Sequence, residues 1–329
     1  MLRQPSRRVN GNSTTGPWNR TRGRPGALRV IDRMMSQRIL GKSPLGVYLR
    51  LSEWIWQRLP LPTRTPLSAY GHLMHSVVRH GDRRQWFGTY FFRNRPQLQL
   101  ISDLAELRRR TPAVRIAVLG CSVGAEVYSI LWSIHSRHPD LRVVIDAVDI
   151  SDEVLEVAQQ GVYSRAVSDL VLEPIFERMT EGEIREMFDA QGDRLSVKPW
   201  LREGIVWRRG DARDPQIVNV LGRHDLVVAN DFLCHMEPVE ADRSLRNIAR
   251  LVDPGGYLVV SGIDIDVRTH VAKALWWKPV PQLMKDIHDG DRSLRLGWPW
   301  KYWGLEPFDR SRPDWRIRYA SAFQIKETR

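Results

Sequence analysis

The sequence predicts an α/β protein whose central sheet is mostly parallel. Apolar strand patterns alternate with amphipathic helix patterns, a glycine-bearing turn joins the first such strand to a helix, and polar residues follow several strands. In folds of this kind the carboxyl ends of the strands meet at one edge of the sheet, where nucleotide-like ligands bind. We therefore expect a site at that edge.

Length and composition are those of a globular protein with one large core or two smaller ones. The chain has 329 residues, of which 42% are hydrophobic and 27% are charged. Its formal net charge is +12, but residues 1–31 hold seven arginines and no acid, so the rest carries only +5. This distribution favours a basic tail over a nucleic-acid groove, and we expect no specific nucleic-acid partner.

The two cysteines, Cys121 and Cys234, are too few for a disulfide scaffold and lack the spacing of a metal site. The chain has no uncharged apolar run of about 18 residues and no secretory apolar core, so no transmembrane helix is expected. These features favour a reducing, cytoplasmic location and no bound metal.

The first third of the chain is predicted to be a tail followed by helices. Residues 1–28 are rich in arginine and interrupted by proline, which is typical of a disordered basic tail. Residues 29–110 form an N-terminal helical region, with one helix after Pro44 and another over 68–80. The aromatic run at 86–93 is expected either to form a lid over the site or to anchor the amphipathic helix that follows it.

The central βα unit is an apolar strand, Arg115–Leu119, followed by a turn and then by helical spacing from Ala125. Gly120, Ser122 and Gly124 supply small residues where the backbone must turn sharply. Their spacing matches neither the dinucleotide fingerprint nor the P-loop. The turn alone therefore leaves both a nucleotide-like ligand and a purely structural turn open.

A second strand, Leu141–Asp149, ends in an acid. Ser151 is suited to cap a helix over Asp152–Gln160, and Gly161 is suited to end it. An acid at the carboxyl end of the second strand is placed to accept hydrogen bonds from ribose hydroxyls. Asp149 is therefore predicted to bind a ribose, the alternative being an ordinary helix-start residue.

The alternation continues after a charged, less regular stretch at 162–203, which holds one expected helix near Glu181–Asp189. A turn at Asp253–Gly256 is expected to precede the last of these strands, because proline presets φ and glycine permits a positive φ. The later strands are predicted at Gly204–Arg208, Asp225–Asn230 and Tyr257–Ser261, and a helix at Pro238–Val252.

Residues 266–329 are predicted to be a tryptophan-rich extension with a closing strand. A helix is expected over Val267–Trp276, and Trp315–Lys326 alternates enough for the strand. Five tryptophans occur between Trp276 and Trp303. They favour either an aromatic recognition surface or a satellite hydrophobic core.

Polar residues gather at four predicted strand ends, namely 120–124, Asp149, Asp211 and 230–235. An acid for ribose, an acid at Asp211 that can pair with an adenine amino group, and a turn without pyrophosphate spacing suggest a nucleoside without phosphate. S-adenosylmethionine (AdoMet) is such a ligand. His235 either lines the pocket or serves as general base for a hydroxyl or amine acceptor, since the imidazole pKa lies near neutrality.

Five short motifs follow one another in the order of a known family. They are Thr89-Tyr90-Phe91-Phe92-Arg93, Cys121-Ser122-Val123-Gly124-Ala125-Glu126-Val127-Tyr128-Ser129, Ala147-Val148-Asp149-Ile150-Ser151, Gly161-Val162-Tyr163 and Pro254-Gly255-Gly256. In these motifs the chain resembles the CheR class of AdoMet-dependent methyltransferases, which methylate glutamates on chemoreceptors. The resemblance covers roughly residues 75–265.

The resemblance implies a Rossmann-like class I methyltransferase with a mostly parallel seven-stranded sheet, an AdoMet-binding domain over 111–265 and a role in bacterial chemotaxis or signalling. It implies that Thr89 and Arg93 contact the methionine end of AdoMet or the acceptor. Arg93 and His235 are the candidate catalytic residues. The expected cofactor-binding set is Thr89, Gly120, Cys121, Ser122, Gly124, Glu126, Asp149, Ile150, Asp211, Ala212, Asn230 and Asp231.

The chain departs from the family pattern mainly near the acceptor. Ala125 replaces the first of two glutamates, Asp211-Ala212 replaces Asn-Leu, and the segment 230–235 replaces Arg-Asn-x-x-x-Tyr. That segment lacks an arginine able to pair with a carboxylate. We expect methyl transfer to a protein side chain, a carboxylate or another group. The alternatives are a small-molecule O- or N-methyltransferase and an inactive AdoMet-binding signalling module.

Overall fold

The computed structural model describes residues 88–109, 112–165, 175–290 and 308–326. The predicted tail, the helices expected before residue 88 and three tryptophans of the C-terminal group lie outside these ranges. The first two residues of the aromatic run at 86–93 do so as well.

Within the described residues, ten strands form two sheets, one of seven strands and one of three. The strands are β1 (Val114–Leu119), β2 (Val143–Asp149), β3 (Val162–Ser164), β4 (Phe188–Gln191), β5 (Arg194–Val197), β6 (Ile205–Arg209), β7 (His224–Asn230), β8 (Val252–Ser261), β9 (Lys278–Pro279) and β10 (Ala322–Gln324).

The large sheet has the strand order β6-β2-β1-β7-β8-β10-β9. The first five strands in that order are parallel neighbours, and β10 and β9 add on antiparallel at one edge. The predicted mostly parallel seven-stranded α/β sheet is therefore confirmed. Because β1 is the middle one of the five parallel strands, the turn that follows it lies in the middle of their carboxyl edge.

Helices cover both faces of the sheet, and in the described ranges none is long and apolar enough to cross a membrane. The helices are α1 (Arg95–Leu107), α2 (Ala125–Arg137), α3 (Asp152–Gln160), α4 (Glu181–Met187), α5 (Ile217–Leu221), α6 (Pro238–Ala249), α7 (Ile265–Ala274), α8 (Met284–Gly290) and α9 (Trp315–Arg318).

The sheet divides the hydrophobic core into two layers. Ile116 and Val118 of β1 belong to the layer that contains α1 and α2, whereas Ala117 and Leu119 belong to the layer that contains α5 and α6. Successive residues of a strand point to opposite faces, so a strand covered on both sides needs an unbroken apolar run. The β1 sequence supplies that run, and all four side chains are at most 2% exposed.

The small antiparallel sheet, in the order β3-β5-β4, was not predicted. Its strands have only three or four residues, and three of the four residues of β4 are exposed, so they show no apolar pattern. It is attached to the main body through aromatic rings. Phe91 lies 5.6 Å from Tyr163, 5.2 Å from Phe176 and 5.3 Å from Phe188 between ring centroids.

The turn expected at Asp253–Gly256 is instead a bulge inside β8. His224 pairs with Val252 but Leu226 pairs with Tyr257, so β8 carries extra residues opposite β7. A Cβ on Gly256 would lie 2.6 Å from the carbonyl oxygen of Asp225, which explains why a glycine is needed where the bulged chain crosses its neighbour. The preceding helix is correspondingly shorter than predicted, because α6 ends at Ala249.

The prediction of a C-terminal strand over Trp315–Lys326 was wrong for the first half of that range. Residues 315–318 form α9, and only the three residues of β10 pair with β8. The alternation misled because α9 buries a charged residue, Arg318, which is 4% exposed and donates to Asp266. Of the five tryptophans between Trp276 and Trp303, the two within the described ranges do not share a surface, since Trp276 is 80% exposed and Trp277 is 4% exposed against Phe323.

Candidate active site

A pocket opens at the carboxyl ends of β1, β2, β6, β7 and β8. Five separate strand ends meet there because parallel neighbours finish at one edge of the sheet. All the predicted site residues line this pocket except Cys121 and Gly124. The predicted residues that line it are Thr89, Arg93, Gly120, Ser122, Glu126, Asp149, Ile150, Asp211, Ala212, Asn230, Asp231 and His235.

The turn after β1 is a tight left-handed bend that forms one side of the pocket. Gly120, Ser122 and Gly124 have φ of +68°, +48° and +87°, so even the serine adopts the conformation that glycine prefers. Gly124 packs behind the turn, where a Cβ would lie 3.0 Å from Trp207 Cη2. Cys121 is 1% exposed and belongs to the core, and burial raises the pKa of its thiol.

Asp149 links the ends of β1 and β2. Its Oδ2 accepts a hydrogen bond from the Ser122 amide at 2.9 Å, and its Oδ1 accepts one from the Ser151 amide at 3.1 Å. A carboxylate has about four acceptor sites, so these bonds hold it in place and leave capacity for a ligand's hydroxyls. Burial raises the pKa of Asp149, and these amides act in the opposite direction.

Asn230, the last residue of β7, is the centre of a buried hydrogen-bond network. Its Nδ2 donates to Glu126 Oε1 at 2.6 Å and to Gln97 Oε1 at 3.0 Å, and its Oδ1 accepts from Ser261 Oγ at 2.8 Å. One side chain thereby joins α1, α2, β7 and β8. Burial of the Glu126 carboxyl raises its pKa to about 7, despite the hydrogen bond from Asn230.

Arg93 and Asp231 form an ion pair at the mouth of the pocket. Arg93 Nη1 lies 2.6 Å from Asp231 Oδ2, and both side chains are about one quarter exposed, at 27% and 21%. Asp231 has a φ of +60°, and its amide donates to the Ser261 carbonyl at 3.1 Å. The pairing was not predicted, because nothing local in the sequence connects residues so far apart.

Asp211 and Ala212 line the pocket after β6, and the Asp211 carboxylate is already engaged. Its Oδ2 accepts from Arg213 Nε at 2.8 Å and from Arg213 Nη2 at 2.6 Å. Arg213 also reaches Glu240 at 3.2 Å. The acid predicted to meet an adenine amino group is therefore at the pocket, but within an ion-pair network.

His235 ends a short 3-10 helix, Leu233–His235, that follows β7 and lines the pocket. Its amide donates to the Phe232 carbonyl at 3.2 Å. Phe232 covers the turn after β1, since a Cβ on Gly120 would lie 2.6 Å from its Cδ1. The imidazole is thus on the same segment as Asp231.

The described part of the aromatic run, residues 88–93, both lines the pocket and anchors the segment before α1. Thr89, Tyr90 and Arg93 line the pocket, whereas Phe91 and Phe92 are 0% and 3% exposed and anchor the segment in the core. The division follows from the backbone turn at Phe92, which has a φ of +53°.

Several lining residues were missed because long-range packing, rather than a local sequence pattern, brings them to the pocket. Asn94 Nδ2 donates to the Ile287 carbonyl at 2.9 Å and so joins α1 to α8. The His288 ring lies 5.5 Å from that of Tyr319. No local sequence pattern brings these elements to the cofactor edge. The missed lining residues include Tyr90, Asn94, Gln97, Arg268, Ile287, His288, Tyr319 and Ser321.

The lining fits a nucleoside joined to an amino acid. A glycine turn allows close approach to the backbone, Asp149 can accept from a diol, Glu126 can receive an ammonium, and Arg93 can meet a carboxylate. These are the polar groups of AdoMet. A cofactor of this chemistry therefore finds suitable partners along one continuous pocket.

Comparison with known proteins agrees with this fit. The model of the family described as CheR methyltransferase, SAM binding domain, matches residues 88–265. The chain is 28% identical over 218 residues to the chemotaxis protein methyltransferase of Vibrio parahaemolyticus, covering 61% of this chain and 76% of that protein. It is 27% identical over 218 residues to chemotaxis protein methyltransferase 1 of Vibrio cholerae, with the same coverage of 61% and 76%.

A more distant relative is the probable biofilm formation methyltransferase WspC of Pseudomonas aeruginosa, which is 25% identical over 177 residues, covering 52% of this chain and 40% of that protein. The family model spans more than half of the chain. The protein therefore belongs to the CheR methyltransferase family and is an AdoMet-dependent methyltransferase.

Proposed function

We propose that the protein transfers the methyl group of AdoMet to a side chain of a protein acceptor in a signalling pathway. Relatives matched over 76% of their length are named chemotaxis protein methyltransferases. The observation that carries the proposal is one pocket that combines Asp149 and the glycine turn with Arg93, Asp231 and His235. In this proposal residues 111–265, together with Thr89 and Arg93, hold the cofactor, and Arg268, His288 and Tyr319 complete the acceptor side.

We assign the cofactor contacts by position along the pocket. Asp149 accepts from the ribose hydroxyls, and Ile150 and Ala212 flank the nucleoside. Glu126 receives the methionine ammonium through the carboxyl that Asn230 holds at 2.6 Å. Thr89 and Arg93 face the methionine carboxylate.

AdoMet supplies an electrophilic methyl group when bound, so the chain's main task is to align the acceptor with it. We propose His235 as the group that takes a proton from the acceptor, because it lines the pocket on the same segment as Asp231 and a neutral imidazole can accept a proton. Cys121 and Cys234 are both buried and form no disulfide, which accords with a proposed cytoplasmic, reducing location.

The ribose assignment is tested by calorimetric titration with AdoMet. Loss of two hydrogen bonds to a carboxylate is expected to cost about 3 kcal/mol, so Asp149→Ala should raise Kd by about 100-fold or more. Glu153→Ala is the control, since this acid is exposed on α3 and does not line the pocket. Unchanged affinity in Asp149→Ala would remove the assignment.

The acceptor class is tested with AdoMet carrying a tritiated methyl group and a lysate of the source organism, separated into protein and small molecules. Label in protein supports the proposal. Label only in small molecules would favour an O- or N-methyltransferase of metabolites. No label with AdoMet binding intact would favour a signalling module without activity.

A further inference from the structure

Arg93 lies at the mouth of the pocket, where both its guanidinium and its backbone have partners. Its Nη1 lies 2.6 Å from Asp231 Oδ2, and its guanidinium lies 5.5 Å over the Tyr90 ring. Its carbonyl accepts a hydrogen bond from Arg178 Nη1 at 2.6 Å, and the Arg178 guanidinium covers the same ring at 4.4 Å. These contacts restrict where the Arg93 side chain can point.

The position of Asp231 is built into the backbone at two strand ends. The residue follows β7 in the left-handed conformation, with a φ of +60°, and its amide donates to the Ser261 carbonyl at 3.1 Å. A Cβ on Gly262 would clash with Oδ1 and Cα of Asp231, so the glycine after β8 makes room for this residue. The fold therefore fixes this carboxylate through contacts that do not involve Arg93.

A carboxylate fixed beside an arginine orders that arginine before any ligand binds. An arginine side chain has several rotatable bonds, and ordering it at the moment of binding costs free energy. A charge-assisted bond formed in advance removes much of this cost. A guanidinium carries five N–H donors, so a bond from Nη1 to Asp231 does not exclude a second carboxylate. The geometry at Arg93 is that of a preorganised carboxylate-binding group.

Two effects of Asp231 on a bound carboxylate oppose each other. Its negative charge repels the ligand, whereas its bond orders the arginine. The guanidinium compensates that charge, because the two groups are in direct contact at 2.6 Å. The ordering effect is therefore expected to be the larger one, so Asp231 should strengthen the binding of a carboxylate at Arg93.

The chain differs from the family pattern at this position. The segment 230–235 stands where the pattern has Arg-Asn-x-x-x-Tyr, so Asp231 takes the place of an asparagine. An asparagine oxygen can accept a hydrogen bond from a guanidinium but carries no charge. The acid next to Arg93 is thus a feature of this chain rather than of the pattern.

We infer, resting on the proposed function, that Asp231 is a positioning residue for the cofactor. It holds the Arg93 guanidinium in place for the methionine carboxylate of AdoMet. Arg93 makes the contact with the ligand, and Asp231 acts through Arg93 without touching the ligand itself.

Two ligands isolate the methionine carboxylate. AdoMet carries this group, whereas decarboxylated AdoMet lacks it and keeps the nucleoside, the sulfonium and the amine. The ratio of their dissociation constants, measured by calorimetry, therefore reports recognition of the carboxylate. The native protein should bind AdoMet about 10-fold or more tightly than the decarboxylated ligand, and Arg93→Ala should bring this ratio close to one.

Variants of Asp231 test its role through this ratio. Asp231→Gly removes the carboxylate and suits a φ of +60°, so the backbone is not strained. We expect the preference for AdoMet to fall by about threefold to tenfold. Asp231→Asn keeps an oxygen that can accept from Arg93, so its preference should lie between those of the native protein and Asp231→Gly. Glu156→Gln, on the exposed face of α3, is the control and should leave the ratio unchanged.

A role of Asp231 in folding alone would weaken both ligands equally and leave the ratio unchanged. The double variant Arg93→Ala/Asp231→Gly should have the ratio of Arg93→Ala, because Asp231 acts through Arg93. An unchanged or larger preference for AdoMet in Asp231→Gly, with the preference lost in Arg93→Ala, would overturn the inference and leave the proposed function standing. An unchanged preference in Arg93→Ala would instead remove the proposed contact between Arg93 and the methionine carboxylate, and the inference with it.

Discussion

AdoMet binding should release protons through Glu126. Burial raises the pKa of this carboxyl to about 7, so it is about half protonated at pH 7 before the cofactor binds. If the methionine ammonium approaches it as proposed, the ionised form is favoured and the pKa returns toward its ordinary value. About half a proton should then be released per AdoMet bound at pH 7.

The same reasoning sets the direction of the pH dependence of affinity. As pH falls below about 7 the carboxyl becomes neutral and loses its attraction for the ammonium, so binding weakens. The protonated fraction rises from about one half at pH 7 to about nine tenths at pH 6, which corresponds to an increase in Kd of about fivefold.

Calorimetry in two buffers of different ionisation enthalpy measures the released protons directly. Glu126→Gln keeps an oxygen that can accept from Asn230 but cannot titrate, so both the proton release and its share of the pH dependence should disappear. Glu156→Gln is the matched control, because it changes an exposed acid of α3. A wild-type binding enthalpy that does not depend on the buffer, or an unchanged dependence in Glu126→Gln, would refute the reasoning.

Three further predictions concern the free energy of unfolding, measured by urea titration. Gly124→Ala should lower the free energy of unfolding by about 1–3 kcal/mol, because φ is +87° and the new Cβ would lie 3.0 Å from Trp207 Cη2. Gly192→Ala is the control, since Gly192 has a φ of +61° but open space around it. An equal loss in both variants would mean that packing around Gly124 does not contribute. Asp225→Ala should lower the free energy of unfolding by about 2–4 kcal/mol, since the carboxylate is 0% exposed and binds an arginine and a backbone amide. A decrease of less than about 1 kcal/mol would contradict this prediction. Without AdoMet, the free energy of unfolding should fall by at most about 3 kcal/mol through Glu126 as pH rises from about 4.5 to 7. The reason is that the Glu126 carboxyl keeps its proton to a higher pH in the native state than in the unfolded chain. Glu126→Gln should remove this pH dependence.

The cofactor side of the pocket was predictable because its signals are local. The strand before Gly120 and the strand that ends in Asp149 are apolar runs with a clear end, and the topology of a parallel sheet then brings those ends together. The structure begins and ends these strands within two residues of the predicted positions. Position relative to a strand end was enough to find these residues.

The acceptor side was less predictable because its contacts are long-range. The sequence shows Arg93 and Asp231 as separate candidates, and only the fold shows that they neutralise each other. His288 reaches the pocket from a short helix that was not predicted, and Tyr319 directly follows a helix where the alternation over 315–326 predicted a strand. The same limitation hid the small sheet, whose stability depends on packing against Phe91 rather than on its own sequence.

The origin of the C-terminal lining has a consequence for redesign. The family model ends at residue 265, yet Arg268, His288 and Tyr319 still line the pocket. The pocket is therefore built from both sides of that boundary, since Asp149 and Asp231 lie within residues 88–265 and these three residues lie beyond it. A transplant of residues 88–265 alone into another protein would leave part of this lining behind.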